Sequence, residues 1–433
     1  MLENRSFDHF VGGLQATFPS VDGVDPNKPA RVNYDGHGYT YKQVPTVTAV
    51  VDPDPMHELD DVLDQLDGNN AQFVLNYAQS YPNTSRAQRQ EVMGYHPRAS
   101  LPALHQLASI YALCNYYYAS VPGPTWPNRL FATSGTSKGY ASNHYHIYDQ
   151  PSVFRRLSEA QRYWRVYRDG PAFVWLLPDV DTQNIWPMSR FIKDAKGAAS
   201  DFPEFAFIEP DYSKNDDHPP HDVSEGQQLV ARVYNAIRAN QALWESTLLV
   251  ITYDEHGGFY DHRSPPAATP PDARKNEYTF DRYGVRVPCA LISPWIKQQI
   301  VNTTFDHTSL LRYLQVKWGL GSMGSRVAKA NSILAGVKVT TRVRQTRQTL
   351  AMTRRSGPVR RRHGLTETQR SLVILADALY SRLPASAKKV PKTYLKPTTP
   401  QQEWRTAEMR GRAYEKYAAG GKRLFPLSRS RRS

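Results

Sequence analysis

Four short apolar runs punctuate the chain, at residues 172–177, 205–208, 248–252 and 289–292. None alternates with polar residues, which predicts strands buried on both faces, as in a mostly parallel sheet. Between the second and third runs, Asp222 and Glu225 have the spacing of a capping box. Leu229, Val230, Val233, Tyr234 and Ile237 then recur along one helical face. Strand, helix and strand in that order predict a right-handed crossover. His218 then falls in the loop after the 205–208 run, and Asp254 at the end of the next strand, where open α/β sheets gather their ligands. The predicted fold class is α/β, a sheet sandwiched by helices. Residues 14–104 and 138–200, rich in Tyr, Asn, Pro and Gly, read as loops and insertions over that sheet.

The texture changes after Gly336. Arg342, Arg344, Arg347, Arg354, Arg355, Arg360, Arg361 and Arg362 are interleaved with Thr, Gln and Ser, a pattern that predicts a linker or disordered basic arm. One helix is expected at about 367–383. Charge follows the same division: from Lys338 onward there are 24 Lys and Arg against 5 Asp and Glu, and before it 30 against 35. A mildly acidic main domain, 1–337, and a basic linker and tail, 338–433, are the expected domains. No apolar run approaches the roughly 18 to 20 residues of a membrane span. Cys114 and Cys289 lie far apart in apolar segments and read as buried thiols.

The candidate chemistry centres on Thr252-Tyr253-Asp254-Glu255-His256-Gly257-Gly258. Two adjacent carboxylates at a strand end resist ionising together unless a cation compensates them, and the glycines permit a tight turn. An isolated Asp-Glu pair is more often a solvated loop. The company it keeps changes that reading: Glu3-Asn4-Arg5-Ser6-Phe7-Asp8-His9, then Pro122-Gly123-Pro124-Thr125-Trp126-Pro127-Asn128-Arg129, then Asp216-Asp217-His218-Pro219-Pro220-His221, and finally Phe305-Asp306-His307-Thr308-Ser309.

These five blocks, in this order over residues 1–321, resemble the phosphoesterase family of non-specific phospholipases C and related acid phosphatases. The resemblance implies an alkaline-phosphatase-like fold and a metal-dependent phosphodiesterase acting on phospholipids such as phosphatidylcholine. Diacylglycerol and a phosphorylated headgroup would be its products. It implies Glu3, Asn4, Asp254 and Glu255 as metal ligands, and Thr125 as both ligand and nucleophile, forming a phosphothreonine. His218 and His57 are the candidate acids or phosphate contacts. An all-oxygen ligand set suits Ca²⁺, with Mg²⁺ or Zn²⁺ as alternatives. His256, His262 and His307 are expected to orient neighbours, and Ser134 and Thr136 to make turn hydrogen bonds. Asn115 stands where the family commonly has Asp.

The alternatives are a phosphomonoesterase of the same superfamily, an inactive truncated homologue, and a nucleic-acid binder working through the tail. No recognition fold accompanies the tail, so nucleic acid is not the expected partner; an anionic membrane surface suits its charge better. No Gly-x-Ser-x-Gly elbow supports an acyl hydrolase. Only Met1 and Leu2 precede Glu3, which predicts a truncated first strand. Secreted, periplasmic and peripheral membrane locations stay open, with no signal peptide in the chain.

Overall fold

A computed structural model describes residues 1–25, 32–343, 349–352, 364–391, 394, 396–419 and 422–425. Strands β1 (Ala112–Cys114), β2 (Trp164–Arg168), β3 (Ile185–Pro187), β4 (Phe205–Ile208), β5 (Leu249–Thr252), β6 (Cys289–Ile292) and β7 (Gln299–Val301) carry the two sheets that frame the site. One sheet runs β3-β2-β4 and is parallel throughout. The other runs β5-β6-β1-β7 and is mixed. β6 is antiparallel to both neighbours, with Thr252 opposite Cys289 and Ala290 opposite Leu113, while β1 and β7 are parallel. Helices α1 (Pro102–Ile110), α2 (Thr125–Ser134), α3 (Val223–Arg238), α4 (Thr308–Trp318), α5 (Glu367–Ser381) and α6 (Pro400–Ala418) pack around them. The class is α/β, with the parallel character concentrated in the smaller sheet.

Three expected strands form where the apolar runs lie; residues 172–177 do not. Phe173–Leu176 is a 3-10 turn instead. The buried Glu209 carboxylate accepts from the amides of Phe173 and Val174 at 2.7 and 3.0 Å, taking donors that a sheet ladder needs. The strand of this region is β2, just upstream. Arg165 and Arg168 interrupt its apolar pattern, and they settle over the rings of Trp186 and Trp175. The expected crossover also takes a different form. β4 and β5 flank α3 in sequence but belong to separate sheets, and the first residues lie between them. The Met1 amine donates to Ile208 O, and the Leu2 amide to Thr252 O at 2.9 Å. α3 starts with the Asp222 side chain accepting from the Ser224 amide, and it buries Leu229, Val230, Val233, Tyr234 and Ile237.

The tail is not uniform. Most of its Arg-rich part, including Arg344, Arg347, Arg354, Arg355 and Arg360 to Arg362, lies outside the described residues. Beyond it, α5 and α6 pack on each other and on the body. A full capping box, Thr366 with Gln369, starts α5. Leu372, Leu375, Ala376 and Leu379 of α5 share one core with Trp126, Leu130, Trp164 and Trp175. Each buried leucine there stabilises the docking by about 1.5–3 kcal/mol. α6 is tied down by Glu415, which pairs with Arg168 and accepts from the Trp175 indole. No described helix is long and apolar enough to cross a membrane.

Candidate active site

The end of β5 and the first residues of the chain run side by side. Asp254 N donates to Leu2 O at 3.1 Å, Arg5 N to Glu255 O at 3.0 Å, and Asn4 N to Asp254 Oδ1 at 3.3 Å. Two glycines permit this approach. At Gly257, φ is +63°, and a Cβ would lie 2.3 Å from Asn4 O. At Gly258, φ is +71°, and a Cβ would lie 2.5 Å from Met56 O, in the segment that carries His57. The glycine pair therefore lets two separate segments close on Asp254 and Glu255, beyond making the turn itself.

Glu3, Asn4, Asp254 and Glu255 are all fully buried. Arg129, also buried, reaches Asp254 Oδ2 at 2.9 Å and Glu3 Oε1 at 3.2 Å. Burial drives the Asp254 pKa up to about 6, with repulsion from Glu255 adding to it and Arg129 opposing it. Burial and Asp254 hold Glu3 well above the usual carboxylate range. Both Glu3 oxygens, Asn4 Oδ1 and Glu255 Oε1 are buried and accept no hydrogen bond. Such oxygens are costly in a protein interior. This donor set is hard, anionic and incompletely satisfied, and it fits a divalent cation.

Thr125 is the first residue of α2, buried, one helical turn from Arg129 on the same face. Its hydroxyl lies 3.3 Å from that of Thr368 in α5. Asn128 holds the preceding loop, accepting from Val121 N and donating to the carbonyls of Gly123 and Pro124. Its side chain is spent on that loop, whereas Arg129, held by its ion pairs through Nε and Nη2, keeps a buried Nη1 with no hydrogen-bond partner, a donor that a phosphate contact could use.

His57 and His218 come together across 5.6 Å between ring centres. With Asp54 they offer ligand atoms within 4.8 Å of one another. His57 Nε2 also lies 3.2 Å from Asn4 Nδ2, which joins the histidine pair to the oxygen set. Burial works against a charged His57, but Glu255, Asp54 and Glu367 outweigh it and hold its pKa up at about 10. Burial raises Asp54 to about 8, with His57 opposing. Asp54 was legible in Asp52-Pro53-Asp54-Pro55 but drew no attention beside His57. His307 Nε2 contacts Asp254 O at 2.6 Å, and His256 bridges Gln65 and Glu255. Both orient neighbours, as expected. Thr136 bonds to Asp272. Asn115 ties Ser20 and Asp22 to Asn302, so it bears on loop packing and not on the oxygen set.

The site opens on a cleft of about 2110 Å³, walled by Asp54, His57 and Glu58 on one side and by Glu367, Arg370 and Trp404 of the C-terminal helices on the other. The tail sequence carried no signal for that wall: Glu367 and Thr368 read there only as the start of a helix.

Among curated proteins, non-specific phospholipase C6 of Arabidopsis thaliana is 32% identical over 74% of this chain and 67% of its own length. Non-specific phospholipase C3 of the same plant is likewise 32% identical, over 74% and 68%. Hemolytic phospholipase C of Pseudomonas aeruginosa is 28% identical over 74% of this chain and 52% of its own length. Among solved structures, the phosphonate monoester hydrolase of Agrobacterium radiobacter aligns over 55% of this chain and 72% of its own, at 12% identity and a TM-score of 0.37. The Phosphoesterase family profile matches residues 1–321, most of the chain and every block that builds the site, so this protein belongs to the phosphoesterase family.

Proposed function

We propose that the protein hydrolyses phospholipid phosphodiesters at the bond between glycerol and phosphate. The observation that carries this reading is a donor-poor oxygen cluster joined on one side, through Asn4, to a histidine pair whose His57 lines a large cleft, and on the other, through Arg129, to the helix that starts at the buried Thr125. The similarity to proteins named phospholipases C supports it.

Thr125 gives its hydroxyl proton to solvent water and attacks phosphorus through Oγ1, and the bond from phosphorus to the glycerol oxygen breaks. That oxygen takes a proton from His57 or His218 and leaves as diacylglycerol. Water then attacks phosphorus, the bond to Thr125 breaks, Thr125 takes a proton back from solvent, and the phosphorylated headgroup departs as the histidine recovers its proton. Glu3, Asn4, Asp254, Glu255 and Thr125 would hold a divalent cation, which when bound supplies positive charge that lowers the hydroxyl pKa and offsets charge gathering on the phosphoryl group. A charged His57 favours the anionic phosphate by the same electrostatics. Arg129 holds Glu3 and Asp254 in place and opposes the rise in their pKa values.

The test is the product profile from phosphatidylcholine vesicles, with and without a chelator, beside Thr125→Ala. Diacylglycerol and phosphocholine that disappear on chelation and in the variant are expected. Hydrolysis restricted to phosphomonoesters, or no metal-dependent product, would overturn the reading.

A further inference from the structure

Three consecutive residues at the start of α5 touch the machinery around the nucleophile. Thr368 Oγ1 lies 3.3 Å from Thr125 Oγ1. Glu367 Oε2 accepts from Asn143 Nδ2 at 2.6 Å, and Asn143 Oδ1 in turn accepts from the Trp126 amide at 2.7 Å. Gln369 Nε2 donates to Tyr212 O at 2.7 Å, and the Tyr212 ring lies under the Arg129 guanidinium, 5.2 Å from its centre. Thr368 and Gln369 are buried. The turn is held from both ends, by its own capping box and by the leucines that α5 buries in the shared core.

We propose that the first turn of α5 completes the catalytic wall, with Thr368 as a positioning residue for the Thr125 hydroxyl and Glu367 acting through Asn143 on the start of α2. The inference rests on Thr125 as nucleophile. A free threonine side chain samples several rotamers, and a hydroxyl that must point at phosphorus gains from a fixed partner on its other side. Thr368 supplies that partner, its hydroxyl 3.3 Å from Thr125 Oγ1. The Glu367–Asn143–Trp126 relay satisfies a first-turn amide of α2 that has no partner inside the helix, and so holds the turn that carries Thr125. On this account the C-terminal helices are part of the enzyme's active site and not a separable binding arm.

The test uses full-length Thr368→Val, Thr368→Ser and Glu367→Ala with a soluble chromogenic phosphodiester, p-nitrophenyl phosphorylcholine, and peptide-level hydrogen exchange over residues 121–130. Thr368→Val should lower kcat about 10- to 100-fold with KM within about twofold, because a small misplacement of the attacking atom costs on that order. Thr368→Ser should recover most of the rate. Glu367→Ala should speed exchange over 121–130. An unchanged or raised kcat in Thr368→Val overturns the proposal, since the turn would then merely cover the nucleophile. If the wild type hydrolyses nothing, the phospholipase reading fails on its own. The exchange measurement still decides the contact, and unchanged exchange in Glu367→Ala sinks it.

Discussion

Two buried acidic clusters grow from the same two stretches of sequence, and they have opposite characters. Asp8, Asp261 and His262 lie a few residues beyond Glu3–Asn4 and Asp254–Glu255, and their ligand atoms fall within 4.8 Å of one another. There Arg286 reaches Asp8 and Asp261 at 3.0 Å, and His262 pairs with Asp8 and Asp22. Burial would raise Asp8, but His262 and Arg286 overcome it and hold the carboxyl below its usual range, while burial leaves Asp261 raised against the pull of Arg286. Charge is balanced within the cluster, so it needs nothing further. The Glu3–Asp254–Glu255 cluster has one arginine for more negative charge, Glu3 and Asp254 both raised, and oxygens on Glu3, Asn4 and Glu255 that accept no hydrogen bond. Proximity of acids is common to both; what separates a scaffold from a site is whether the protein pairs its own charges.

Substitutions on each side should therefore split activity from stability. Glu255→Gln should cost about 10³-fold in phosphodiesterase activity, roughly 4 kcal/mol of transition-state stabilisation. Unfolding in chelator should show stability close to the wild type, as relief of the repulsion between Glu255 and Asp254 offsets the weakened pairing with His256. A variant that is both inactive and strongly destabilised would erase the contrast. Arg286→Leu should do the reverse, destabilising by about 3–5 kcal/mol because it strands Asp8 and Asp261 in the interior; urea denaturation at neutral pH measures it. Saturating Ca²⁺ at 100 times its dissociation constant should add about 2.7 kcal/mol to the wild type and none to Glu255→Gln, read as a shift in Tm.

The smallest effect concerns pH. Burial disfavours a charged His262, but Asp8 and Asp22 more than offset it and lift its pKa to about 10. Its folded-state pKa is above the ordinary value, so its contribution is complete below about pH 6.5 and is lost as pH rises from there through 10. His262→Asn should remove that slope: wild type and variant should differ most near pH 6 and converge toward pH 10 in denaturation midpoints. Parallel curves across that window would count against the pairing.

Glu3-Asn4, the Asp254-Glu255 pair, Thr125 and the two histidines stood out as candidates because each sits in a short block that resembles a family motif, local to a few adjacent positions. The apolar runs that became β4, β5 and β6 were legible for the same reason. β2 was not, since its arginines are accommodated by tryptophans distant in sequence. Nor was the fate of residues 172–177, decided by a carboxylate at Glu209 that captures two amides across the fold. By itself the sequence determined the candidate parts list: carboxylates and an amide, a threonine hydroxyl, histidines, and glycines where no Cβ fits. Only the tertiary structure decided which carboxylates share an arginine, and that Thr368, 243 residues from Thr125, stands beside it. Burial, charge pairing and helix docking depend on contacts between distant segments, and no local pattern along the chain encodes them.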